Sequence, residues 1–226
     1  MVDIKGFLET SFVDWPGKIC SVLFLPRCNF RCPYCHNHGL ILHPDRFASI
    51  PIAEVFRRLA SFKGWIDGIC LTGGEPTLHP DLPLLVRQIK ERGWAVKLDT
   101  NGSNPKMLRT LIEEGGIDFV AMDVKAPLDP LSYGRITGRR ADLEAIRESI
   151  ALLKENRVEY QFRMTVVPLF HTEGEVRALA QQLRAGSRLI LQNFNPADPL
   201  DPSLKRLNPY DPKTLKEMER MVHTFL

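Results

Sequence analysis

A chain of 226 residues, 44% hydrophobic and 25% charged, has the make-up of an ordinary globular protein with one sizeable core or two small ones. The net charge of +3 is small, and the doublets Arg57-Arg58 and Arg139-Arg140 are isolated, so nucleic acid is not an expected partner. No apolar run reaches membrane-spanning length, and the first residues lack the basic-then-apolar order of a secretory leader. A cytoplasmic protein with no membrane partner is therefore expected. Its five cysteines, an odd number, argue for metal binding or buried thiols rather than a disulfide framework.

Taken in order, residues 4–10 read as a short alternating edge strand, followed by the turn 11–18 with its Pro16 and Gly17. The apolar run 19–25 is the first clear buried strand. Pro51 opens a helix over 52–62, on which Val55, Phe56 and Leu59 recur at helical spacing. A strand at 68–71 ends in Thr72-Gly73-Gly74-Glu75-Pro76. Helix 82–92 stops at Gly93, strand 94–98 ends in Asp99-Thr100-Asn101-Gly102, and helix 105–114 stops at Gly115-Gly116. Strand 119–122 ends in Asp123-Val124-Lys125. A loop carrying Tyr133, Thr137 and Gly138 leads to helix 142–156, strand 160–167, helix 173–183, strand 188–192 and a closing helix 212–225. The proline-rich stretch 195–212 reads as a linker over the surface, forming no element of its own.

Six strand–helix repeats with connections too long for hairpins demand parallel pairing and right-handed crossovers. Both an open doubly wound α/β sheet and a partial barrel satisfy them, in one domain spanning 1–226. In either, the strands' C-terminal ends share a face where ligands bind. Four chemically loaded loops then converge there.

The first of these loops holds Cys28, Cys32 and Cys35, spaced C-x3-C-x2-C. Three thiolates could hold a zinc completed by His36, His38 or His43, or a [4Fe–4S] cluster with one iron left open. Gly73-Gly74 allows the backbone to approach a ligand closely, and Glu75 can pair with an ammonium. Lys125 can pair with a carboxylate. Thr100 and Asn101 can hydrogen-bond a sugar or a carboxylate, and Tyr34 offers a ring face to a nucleobase. An amino acid, a sugar and a base beside an open iron describe S-adenosylmethionine on a cluster. Set against this, Cys20 and Cys70 read as small buried hydrophobes, His79 as a loop residue and His171 as a surface residue. Asp99 and Asp123 could merely cap helices or bind water.

This combination resembles the radical S-adenosylmethionine (SAM) superfamily. The stretches 14–17, Tyr34-Cys35-His36-Asn37, 98–102, 122–125 and 163–168 more narrowly resemble the glycyl-radical-enzyme activases, and among those the activating proteins of anaerobic ribonucleoside-triphosphate reductases. The resemblance implies a partial (β/α)6 barrel of parallel strands and an oxidoreductase that reductively cleaves SAM to a 5′-deoxyadenosyl radical. It also implies a glycyl radical enzyme as partner and a flavodoxin- or ferredoxin-type electron donor. By the same resemblance Cys28, Cys32 and Cys35 are the ligands of a [4Fe–4S] cluster, and Gly73, Gly74 and Glu75 the methionyl-ammonium site. Asn101 and Lys125 match contacts to carboxylate and ribose, with Tyr34, Thr100 and Arg163 beside them. Asp99, Thr100 and Asp123 match positions that hold a monovalent cation in pyruvate formate-lyase activases. The chain departs from the pattern at Arg27, where many activases carry Gly. It offers no cysteine beyond Cys70 for a second cluster. Three alternatives stay open: an activase of a pyruvate formate-lyase-like enzyme, a radical SAM enzyme acting on a small molecule or RNA, and a non-catalytic zinc- or cluster-binding regulatory module.

Overall fold

Strands separated by whole helices cannot be joined by hairpins, and the computed structural model, which describes residues 2–62, 64–184 and 186–225, resolves how they pair. All seven strands belong to one sheet and follow one another in chain order. They are β1 (Gly6–Ser11), β2 (Cys20–Leu25), β3 (Gly68–Gly73), β4 (Ala95–Thr100), β5 (Phe119–Asp123), β6 (Glu159–Val166) and β7 (Leu189–Asn193). β1 is an antiparallel edge strand on β2, and every later pair is parallel.

Between and after the strands lie α1 (His38–Leu42), α2 (Ile52–Leu59), α3 (Leu82–Lys90), α4 (Pro105–Glu113), α5 (Pro130–Thr137), α6 (Leu143–Lys154), α7 (Glu173–Leu183) and α8 (Pro212–His223). The order β2 to β7 never reverses. Right-handed crossovers that always step to the next strand keep the helices on one face. The doubly wound alternative needs a reversal and is thereby excluded; the architecture is the partial (β/α)6 barrel. Among the described residues, no helix is long and apolar enough to cross a membrane.

Alternation along the strands makes two interiors. Leu23, Leu25, Ile69, Leu71, Val96, Leu98, Val120, Met122, Phe162 and Met164 belong to the large core shared with helix residues such as Leu59, Ile89, Leu111, Ile146 and Leu179. The intervening positions face the concave side. Toward the N-terminal strand ends that side is closed by an apolar cluster of Trp15, Cys20, Val22, Cys70, Phe119 and Ala121. Cys20 and Cys70 thus serve as small buried hydrophobes. Trp15 stacks obliquely on Phe119, with ring centroids 6.2 Å apart. It fits because residue 68 is glycine: a Cβ there would lie 2.7 Å from the indole and 2.5 Å from the Ala95 carbonyl oxygen.

Helices α1 and α5 and several 3-10 turns escaped the sequence reading. α5 lies where a loop was expected. Asp129 caps it by accepting from the Leu131 and Ser132 amides, Pro130 begins it, and Gly138 ends it at φ 62°. Its buried Tyr133, Ile136 and Thr137 carry the helical spacing, but Gly134 interrupts the pattern. α1 has only five residues, too few to show a period. The expected linker 195–212 contains a short 3-10 turn, Pro202–Arg206, with Leu204 buried.

Gly68→Ala is expected to cost about 2 kcal/mol or more by crowding Trp15 and β4. Gly134→Ala, with open space around its missing Cβ, should stabilise by about 0.5–1 kcal/mol. Denaturant unfolding of the two variants beside the parent chain checks both signs.

Candidate active site

The cysteine loop leaves β2 at Leu25 and is held mostly through its main chain. The Gly74 amide donates to the Leu25 carbonyl at 2.8 Å, and the Glu75 amide donates to the Arg27 carbonyl at 2.8 Å. This close approach explains the paired glycines. A Cβ on Gly74 would lie 1.7 Å from the Arg27 oxygen, and Gly73 sits at φ 112° with the Leu25 backbone 2.5 Å from its missing Cβ. Gly73-Gly74 therefore lets the end of β3 dock on the cysteine loop, in addition to facing the cavity. Arg27 itself adopts φ 67°, a left-handed conformation that a glycine would take without strain.

Side chains from elsewhere complete the bracing. His79 Nε2 reaches the Pro26 carbonyl at 2.9 Å, and Asn37 donates to the Gly73 carbonyl at 2.8 Å. The Arg31 guanidinium donates to the carbonyls of Cys28 and Phe30, both at 2.7 Å, while the Arg31 amide donates to the Thr137 carbonyl at the end of α5. From the C-terminal stretch, the Asp201 amide donates to the Pro33 carbonyl, the Asn195 carbonyl meets His36, and Asp198 meets His38.

Glu75 is 1% exposed, and its carboxylate has four donors. Oε1 accepts from the Thr77 amide (3.1 Å), the Thr77 hydroxyl (2.5 Å) and the Thr100 hydroxyl (2.7 Å); Oε2 accepts from the Asn101 amide (2.7 Å). Burial pushes its pKa up, against the pull of these donors. Asn101 turns its amide nitrogen to Asn29 Oδ1 (2.9 Å) and Cys28 Sγ (3.8 Å), and its oxygen accepts from the Ser103 amide. Both side chains read from sequence as ligand contacts are thus already engaged within the protein.

On the concave face, inward positions of β4, β5 and β6 carry a ladder of alternating charge. Lys97 pairs with Asp99, and Asp99 with the Arg163 guanidinium at 3.2 Å. Arg163 Nε donates to Asp123 at 2.8 Å, and Asp123 accepts from Lys125 at 2.9 Å. Asp123 and Arg163 lie directly opposite in the β5–β6 register. Burial opposes ionisation of Asp123, yet Arg163 and Lys125 hold its carboxyl well below the usual range. Lys125 and Arg163 are likewise held charged, burial notwithstanding, chiefly by Asp123. Arg163 stands between Asp99 and Asp123, and the Thr100 hydroxyl turns away to Glu75.

All thirteen residues singled out from sequence line one cavity of about 140 Å³. It takes Cys28, Cys32, Tyr34 and Cys35 from the first loop, and Gly73, Gly74 and Glu75 from the second. The third contributes Asp99, Thr100 and Asn101, and the remaining wall has Asp123, Lys125 and Arg163. Phe30 and Ile41 were not singled out from sequence, and Asn37 and Thr72 only as members of their motifs.

Two observations test what this cavity can hold. Its sulfur donors are three cysteines whose thiols burial pushes up, Cys28 and Cys32 to about 11, so that they ionise only beside added positive charge. Among the described residues, no three Cys, His, Asp or Glu side chains gather around a point that one metal ion could fill. A zinc would need its ligands within about 2.3 Å of such a point, whereas a cubane gives each thiolate its own iron. His36 and His38, named as completing ligands, point to the C-terminal stretch instead. The Tyr34 hydroxyl is buried without a partner among the described residues. Three spread thiols, an unpartnered hydroxyl and an ammonium with N–H groups to spare suit a cluster and a polar ligand together.

His171, expected at the surface, is fully buried. Its Nδ1 accepts from the Val167 amide at 3.0 Å and its Nε2 meets the Lys125 carbonyl at 2.8 Å. Residue type alone did not mark it, because Lys125, whose carbonyl it meets, lies in another segment.

A family model described as the radical SAM superfamily matches residues 22–183. The chain belongs to this superfamily, whose members use a [4Fe–4S] cluster and SAM. More narrowly, it is 33% identical over 99% of its length to a Methanocaldococcus jannaschii protein named as a glycyl-radical enzyme activating enzyme, 92% of which is covered. It is 28% identical, over 87% of its length, to a Pyrococcus horikoshii protein named as a GTP 3′,8-cyclase, of which it spans 65%. It is 27% identical, over 80% of its length, to a Clostridium pasteurianum pyruvate formate-lyase-activating enzyme, 76% of which is covered. Among solved structures, Streptococcus suis SuiB bound to SAM aligns at TM-score 0.65 over 89% of this chain and 48% of SuiB; at 16% identity the likeness is one of fold.

The buried imidazole gives the protein a pH signature. Burial pushes His171 from 6.5 down to about 4. Between those values the unfolded chain holds a proton that the folded chain does not, so stability present above pH 6.5 is lost as pH falls toward 4. Urea unfolding at about pH 7.5 and about pH 4.5 should show the parent chain losing about 2.5 kcal/mol more than His171→Gln.

Proposed function

We propose that this protein activates a glycyl radical enzyme, with anaerobic ribonucleoside-triphosphate reductase as the partner and a flavodoxin- or ferredoxin-type donor supplying the electron. The observation that carries this reading is the gathering in one cavity of three thiols, Lys125 and the Tyr34 hydroxyl, which has no partner among the described residues. The likeness to the M. jannaschii protein over nearly the whole of both chains supports the activase assignment. The motif stretches 34–37, 98–102 and 122–125 support the reductase as partner.

Cys28, Cys32 and Cys35 would hold three irons of the cluster. Lys125, with one N–H given to Asp123, has two more for the carboxylate of SAM. Glu75 keeps a lone pair on Oε2 for the ammonium, and the Tyr34 hydroxyl and ring are placed for the nucleoside. Phe30 and Ile41 form apolar walls that exclude water. Bound there, the cluster and SAM would supply the radical chemistry by which a hydrogen is taken from a glycine α-carbon of the partner enzyme. The charge ladder behind Lys125 sets three cations against two carboxylates, with Lys125 as its positive end at the cavity.

Anaerobically reconstituted protein given dithionite and SAM should release 5′-deoxyadenosine and, with the reductase present, leave a glycyl radical visible by paramagnetic resonance. Cys28→Ala should lower iron content and deoxyadenosine formation by roughly 100-fold or more. Full iron and turnover in that variant would sink the ligand assignment. Deoxyadenosine formed only when GTP or another small molecule is added would move the chain from the activases to the small-molecule radical enzymes.

A further inference from the structure

A lysine ammonium is placed only as well as the main chain beneath it. Beyond β5 that main chain has left the sheet: the Val124 amide makes a last bond to the Arg163 carbonyl at 2.9 Å. Lys125 comes next, and both its peptide groups need partners. Its amide donates to the Tyr133 hydroxyl at 3.2 Å, and its carbonyl accepts from His171 Nε2 at 2.8 Å. Tyr133 comes from α5 and His171 from the turn after β6, and both are fully buried.

The imidazole has no freedom to do otherwise. Its Nδ1 accepts from the Val167 amide at 3.0 Å, which assigns the proton to Nε2 and makes that nitrogen the donor to Lys125. His171 is held in turn through its carbonyl, which accepts from the Tyr210 hydroxyl at 2.6 Å, while the Tyr210 carbonyl accepts from Asn193 at 2.6 Å. The ring is not a helix cap, because Thr172 caps α7 in a box with Glu175. Nor does it line the cavity.

We propose that His171 is a positioning residue for the bound sulfonium ligand: through the Lys125 carbonyl it fixes where the Lys125 ammonium meets the ligand's carboxylate. The proposal rests on the reading that Lys125 faces the SAM carboxylate. It makes the C-terminal stretch, through Tyr210, part of the support of the binding site.

The test is a double-mutant cycle on reconstituted, cluster-loaded protein, measuring the SAM dissociation constant before any reductant is added, with iron and sulfide content as control. His171→Leu should weaken binding about 10-fold at unchanged cluster content. His171→Gln, which keeps a donor and an acceptor, should stay within about 3-fold of the parent. In a Lys125→Met background, His171→Leu should add less than about 2-fold, because the lysine it acts through is gone. Should His171→Leu not fold, His171→Asn, too short to span to the carbonyl, takes its place with the same expectations. Unchanged binding in the single variant, or an equal loss with and without Lys125, overturns the proposal while leaving the function intact. A parent protein that binds no SAM overturns the functional reading and this inference with it.

Discussion

A carboxylate taken out of water is tolerated only if donors replace the water, and Glu75 collects four of them from two strand ends. Its own amide fastens a third, the loop leaving β2, by donating to the Arg27 carbonyl. The ends of β2, β3 and β4 are thereby locked into one rigid rim. The cysteine loop inherits its shape from that rim, with Gly73-Gly74 removing the side chains that would keep the two backbones apart. Asn101 extends the lock by tying β4's exit to Asn29 and the Cys28 sulfur.

Below the rim, the concave side of the barrel divides into two zones. The N-terminal strand ends are sealed by Trp15 and its apolar neighbours. The C-terminal halves carry charges, and these are stable there because each pairs with an opposite charge, two residues along its own chain segment or across the sheet. Lys97 neutralises Asp99 from below, Arg163 bridges both aspartates, and Lys125 ends the series at the cavity.

Much of this was legible in the chain itself. Cysteine spacing, glycine pairs and the Asp, Asn and Lys residues at strand ends all lie within a few residues of a recognisable strand, so periodicity alone brings them to one face. The missed features share a different character. α5 was hidden by Gly134 in its middle, although its Asp129 cap and Gly138 stop were present. His79, His171, Asn29 and Trp15 have partners dozens of residues away, and nothing near them in sequence announces those partners. Glu75 and Asn101 were found as site residues, but their hydrogen bonds to neighbouring loops could not be read from residue type.

The sequence by itself determined the parallel strand–helix repeat, the helix stops and the identity of the groups gathered at the strand ends, because these follow from short-range periodicity and turn chemistry. Only the tertiary structure decided between the open sheet and the barrel, and which polar groups remain free to meet a ligand. Strand order and long-range hydrogen bonds depend on packing between segments far apart in the chain. A single buried residue, His171, shows the difference: its type was visible from the start, but its role depends on a carbonyl 46 residues away.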